Sequence, residues 1–148
     1  MTYSGILKSN LEQIGLTPDA VAFLLGVFGL IQVFDDVADQ DPVLRPDLDK
    51  AVWFSFVGMA INPFYAANMQ ALTPVMATQI LKWQSADAVE RQGIADERSF
   101  IWRAGFYDLI LTVACLCLGV GRATELGPQI MAMYGETFAE YMKEFPNA

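Results

Sequence analysis

The residues in this chain whose types and spacing could do chemistry are three aspartates in the run Phe34-Asp35-Asp36-Val37-Ala38-Asp39. Asp35 and Asp39 stand four apart and Asp36 and Asp39 three apart, so on a helix they are neighbours on one face. They close a very apolar stretch, where a helix ends in the negative pole of its dipole. Each carboxylate there costs about 0.3–1 kcal/mol, and the three also repel one another. Nearby positive charge must compensate, and two kinds of countercharge are open. A divalent cation is one: oxygen ligands alone suit Mg²⁺ or Mn²⁺, with Asp35, Asp36 and Asp39 joined by Asp87 and Glu90, which are three apart later in the chain. Arginine is the other, and it makes the acids a clamp between helices with no metal bound.

Arg103 is the leading arginine. It lies with Asp108 in an apolar segment holding Ile101, Trp102, Phe106, Leu109 and Ile110, and charges in such surroundings are rarely buried unpaired. Five residues separate Arg103 from Asp108, a poor spacing within one helix. Arg103 is therefore expected to reach a carboxylate on another helix, first of all the Asp35–Asp36–Asp39 group. Asp108 then looks to Arg45, Arg98 or Lys82. The clamp is the expected reading, and magnesium-dependent chemistry on a diphosphate or nucleotide is the alternative.

The composition removes other chemistries. Histidine is absent, which excludes Ser-His-Asp and Cys-His catalysis and histidine-held zinc or haem. Net charge is −8, with nine scattered Lys and Arg, so no basic stripe exists to neutralise phosphates and nucleic acid is not an expected partner. Cys115 and Cys117 are two apart, face different ways on a helix, and are expected as buried free thiols of a cytosolic protein.

Helices must position these groups. Tyr3 to Ile14 has helical spacing of apolar residues, ended by Gly15. Thr17-Pro18-Asp19 is an N-cap, a first-turn proline and a first-turn acid, opening a helix to about Val37. Gly26 and Gly29 on it are expected to mark the close approach of a neighbour. After the polar loop 39–46 come helices over Asp47–Ile61, Phe64–Gln70 after the Asn62-Pro63 break, and Thr73-Pro74 to Arg91. Gly93 ends the last of these. Asp96 caps a helix to Leu118, stopped at Gly119 and Gly121, and a final helix covers Pro128–Glu144. No segment alternates with period two. The expectation is an all-α bundle of about six or seven helices in a single domain, residues 1–148.

Hydrophobic residues make up 54% and aromatic residues 12%, a surplus that implies an apolar core plus a subunit interface. Trp53, Phe54, Phe56 and Trp83 are expected in the core, and Met131, Met133 and Met142 in the core or at a subunit contact. The longest apolar runs, Ala20–Phe34 with Gln32 inside it and Leu109–Val120, fall short of the roughly 20 residues a spanning helix needs, and the first residues lack a basic n-region. The expected partners are protein, including copies of the chain itself, and not membrane.

Two resemblances bear on these expectations. Asp35-Asp36-x-x-Asp39 is similar to the acidic motif of the isoprenoid synthases, all-α enzymes that bind magnesium diphosphate. It covers five residues, and neither Asp87 with Glu90 nor Glu136 with Glu140 reproduces that family's second acidic motif. The segments 34–43, Asn62-Pro63-Phe64-Tyr65, Leu72-Thr73-Pro74-Val75, Trp83 with Glu90, and Arg103-Ala104-Gly105-Phe106-Tyr107-Asp108-Leu109 together resemble an uncharacterised family of small helical proteins encoded by tailed bacteriophages. This match spans about Phe34 to Gly121. It implies a phage or prophage setting, in the cytoplasm of a bacterial host or in a virion, where short acidic helical proteins often serve in virion assembly or in taking over host functions. It carries no activity, ligand or catalytic residue.

Overall fold

The computed structural model describes residues 2–146, which fall into two compact units, one up to residue 69 and one from residue 70 onward. The regular structure among the described residues is all helical, with no strand, as expected from the absence of period-two alternation.

In the first unit α1 (Tyr3–Gln13) is capped by Thr2, whose hydroxyl accepts from the Gly5 N–H, and it buries Leu7 and Leu11. Gly15, at φ 94°, turns the chain in a conformation that disfavours a Cβ. Helix α2 (Pro18–Ala38) starts on the expected signature: Thr17 Oγ1 accepts from the Ala20 N–H and Pro18 occupies the first turn. Its N-terminal half is the more buried one, through Ala20, Val21, Phe23, Leu24 and Val27, with Val33 further on.

Residues 45–61 form one continuous helical run. It comprises α3 (Arg45–Trp53), a π-helical segment (Phe54–Gly58) and a last α-helical turn, α4 (Met59–Ile61). The wide turn seats the Phe54 ring against Gly26 of α2, and a Cβ on Gly26 would overlap that ring. Close approach is therefore what Gly26 allows, whereas Gly29 has nothing within 4 Å of its Cβ position. Asn62 breaks the run. Its side-chain oxygen accepts from the Tyr65 N–H at 3.0 Å and its amide donates to the Asp19 carbonyl at 2.9 Å, and Phe23 stacks on Tyr65.

Helix α5 (Pro63–Arg91) begins in the first unit and ends in the second. The expected break at Thr73-Pro74 is absent, and Pro74 lies inside the helix. A proline there costs about 3 kcal/mol, but Ala66, Ala67, Met69, Gln70, Ala71 and Leu72 are good helix formers, and a helix already propagating does not need a new nucleus.

The second unit also contains α6 (Glu97–Trp102), α7 (Phe106–Leu118), α8 (Val120–Met131) and α9 (Phe138–Met142). Asp96 caps α6 as expected, with its carboxylate accepting from the Arg98 and Ser99 N–H groups. The single helix expected over Glu97–Leu118 is instead two, parted by a turn at Arg103–Gly105. Packing at the turn is close: a Cβ on Gly105 would lie 3.1 Å from Cγ and 3.3 Å from Cα of Gln79. The final helix expected over Pro128–Glu144 is also two. Pro128 lies within α8, and α9 begins at Thr137, which forms a reciprocal capping box with Glu140. Cys115 and Cys117 are free and half-buried.

Candidate functional site

Asp35, Asp36 and Asp39 stand where the sequence places them, at the end of α2, the first two half-buried and Asp39 exposed. Asp39 is the C-cap, and Gln40 takes the left-handed conformation at φ 61°. The Asp41 N–H then reaches the Asp36 carbonyl at 2.8 Å and the Gln40 N–H the Val37 carbonyl at 3.2 Å. This closure satisfies two carbonyls at the negative pole. Among the described residues no three His, Cys, Asp or Glu side chains gather as a metal ion requires.

The remaining charged candidates have arginine or lysine partners. Asp87 is paired with Arg91 at 2.9 Å and Glu90 with Arg103, so both members of the proposed second acidic group face guanidinium groups. Asp108 accepts from Lys82 at 2.8 Å, one of its three expected partners. Arg98 is engaged by Asp96, whose carboxyl it holds below the usual range. Arg45 pairs with Asp49 on its own helix in full view of solvent, where such a bond contributes little.

The most buried polar group in the second unit is a relay that the sequence analysis did not identify. Arg103 Nη1 donates to both Glu90 oxygens, at 2.7 and 2.6 Å, and the Tyr141 hydroxyl donates to Glu90 Oε2 at 2.8 Å. Ser99 Oγ lies 2.6 Å from the Tyr141 oxygen, and it also donates to the Asp96 carbonyl at 2.9 Å and accepts from the Asp96 N–H at 3.0 Å. The Arg103 guanidinium lies over the Tyr141 ring, 5.9 Å from its centroid. Phe100 packs on Tyr134, Phe138 and Tyr141 around it. Glu90 is hydrogen-bonded to Arg103 and to Tyr141, and Ser99 ties them to the α6 cap at Asp96. The relay is a clamp joining α5, α6 and α9.

Burial, with the Glu90 carboxylate alongside, pushes the Tyr141 hydroxyl up to about 12; burial also raises Tyr134. A raised pKa means that the folded state keeps the proton between pH 10 and 12 while the unfolded chain loses it. The contribution is complete below pH 10 and falls away as the pH rises to 12, on the order of 2 kcal/mol. Thermal melts from pH 9 to 12 are expected to show this loss, with a shallower slope in Tyr141→Phe.

A large open groove, about 700 Å³, lies in the first unit and runs along α2 between α1 and α3. Leu25, Gly29, Val33 and Asp36 lie along its floor, three turns of one helix face. Lys8 stands on one rim and Asp47 and Lys50 on the other, with Phe54 closing the wall. A smaller groove, about 380 Å³, lies in the second unit beside Ser99 and Trp102. Around the first groove the expected core does not materialise: Trp53 is 62% and Phe56 81% exposed, and Phe34, Val37, Leu44, Val52 and Ile61 are exposed as well. Met131 is also exposed, whereas Met133 is buried. Comparison of the chain with family models, curated proteins and solved structures finds no match.

The sequence held a signal for part of this. Leu44, Leu48, Val52 and Phe56 recur every four residues, so they share a face; the periodicity does not say whether that face is covered.

Proposed function

We propose that this chain is a non-enzymatic protein–protein interaction module that associates with copies of itself, in an assembly role of the kind phage-encoded helical proteins serve. The observation that carries this reading is α2. An 18-residue window of that helix has a mean hydropathy of 1.9, yet only 33% of it is buried within the chain. Apolar surface on this scale is a strong driving force for association, and contiguous patches of it are uncommon on monomers unless they bind something.

By length and composition α2 is also the one helix among the described residues that could cross a membrane. Its uncharged stretch, Ala20–Phe34, rises only about 22 Å against the roughly 30 Å of a hydrocarbon core. Asp35 and Asp36 follow at once, and burying them in lipid is costly. A protein surface, with water at its rim, accommodates that sequence better.

Light scattering coupled to size-exclusion chromatography tests the reading. The expected mass is a multiple of 16.4 kDa, and the association should tighten with added salt, which screens repulsion between chains of net charge −8. A monomer at every concentration and salt level overturns it.

A further inference from the structure

The proposed self-association leaves open which surface makes it, and the first unit presents two complementary ones. The α2 groove is concave, and its floor from Leu25 to Asp36 is about 16 Å long at 1.5 Å per residue. Beside it, Leu44, Leu48, Val52 and Phe56 are all exposed and follow one another at intervals of four from the N-cap of α3 into the π-helical segment, an apolar stripe of roughly the groove's length. The two flank the same helix: Asp47, Lys50 and Ala51 of α3 line the groove, and the stripe lies about a third of a turn round from them.

Charge selects the occupant. Lys8, Arg45 and Lys50 are the only basic residues up to residue 69, against eight acids. Lys8 and Lys50 line the groove against Asp36 and Asp47, so its lining carries no net charge; Lys8 also reaches Glu12 at 3.9 Å, and Arg45 pairs with Asp49 on the helix that carries the stripe. On a chain of net charge −8, this is the locally neutral surface by which one copy can approach another without repulsion. A strongly basic or acidic partner would find no net complement there.

We infer that the groove is the dimerisation site, occupied by the apolar stripe of a second copy of this chain. Because groove and stripe adjoin one helix, a two-fold axis beside α3 makes both insertions together, the self-complementary arrangement typical of dimers. The inference rests on the self-association proposed above, and adds to it the surfaces.

Gly29→Leu tests it with little disturbance, since nothing lies within 4 Å of its Cβ position: the leucine enters the open groove, and α2 loses a poor helix former. Phe56→Ser removes the most exposed residue of the stripe. By analytical ultracentrifugation, each variant is expected to dimerise at least tenfold more weakly than the wild type while keeping its helical circular dichroism and melting temperature. Mixed in equal amounts they should associate more tightly than either alone, because Gly29→Leu still offers a stripe and Phe56→Ser still offers a groove. A dimer unchanged in both variants overturns the site while self-association stands. A monomeric wild type overturns both, and its flotation with lipid vesicles would reassign the stripe to a membrane surface.

Discussion

Arg103→Met is expected to destabilise the second unit by about 3–5 kcal/mol. The Glu90 carboxyl group is only 7% exposed, and in the variant it keeps a single donor from the relay, the Tyr141 hydroxyl. A buried carboxylate stripped of its guanidinium loses the attraction that offset its desolvation and keeps the desolvation itself. The guanidinium also packs over the Tyr141 ring, so the aromatic group around Phe100 loses a neighbour. Urea unfolding followed by the fluorescence of Trp83 and Trp102, in a Trp53→Phe background, reads the second unit. A loss under about 1 kcal/mol would show that the pair behaves as an exposed one.

The companion variant separates pairing from packing. Replacing both partners, Glu90→Leu with Arg103→Met, removes the buried charge altogether. Such replacements are often neutral or stabilising when volume is kept. The double variant should therefore recover much of what Arg103→Met alone loses. If the two single losses simply add, the residues are not coupled, and the clamp would owe its strength to Tyr141 and Ser99.

Most helix starts were legible because their causes are local. Thr17-Pro18-Asp19, Asn62-Pro63 and Asp96 each satisfy exposed N–H groups from within three residues, and such bonds can be read from spacing alone. The same signature misled at Thr73-Pro74, where preceding helix formers carried α5 through the proline. The capping box at Thr137 and Glu140 was equally local and was passed over in favour of Pro128. The turn at Arg103–Gly105 was not legible: its tight contact is with Gln79, 26 residues earlier, which sits close to where a Cβ at Gly105 would be. Of the relay, Glu90 and Arg103 were each singled out, one as a metal ligand and one as a charge partner. Tyr141 and Ser99 were not, since a tyrosine 51 residues from its carboxylate carries no mark of that bond in its surroundings.

The hydrophobic surplus was visible in the composition, but its location was not. Helical period assigns Trp53, Phe54 and Phe56 to a face, and the fold decides what covers that face. Only Phe54 acquires a neighbour in this way, because the π-helical turn rotates its ring onto Gly26.

That contact yields the second large effect. Gly26→Ala is expected to destabilise the first unit by about 2–3 kcal/mol, although alanine in mid-helix is worth about 1 kcal/mol more than glycine. The new methyl would overlap the Phe54 ring, whose Cδ2 edge faces Gly26 and also lies close to Gly58, a second position where a Cβ would crowd it. Relief requires α2 and α3 to part or the ring to leave its rotamer. Phe54→Leu in the same chain should restore most of the loss by shortening the side chain. Gly29→Ala supplies the contrast, since it gains the same helix propensity with open space around it and should stabilise by up to about 1 kcal/mol. Thermal unfolding read by Trp53 fluorescence compares all three. Because Phe54 is a wall of the groove, Gly26→Ala should weaken dimerisation together with stability, whereas Phe54→Leu restores stability more fully than association. A Gly26→Ala protein as stable as the wild type would show that the ring swings freely, and a groove with so mobile a wall could not hold a partner helix in register.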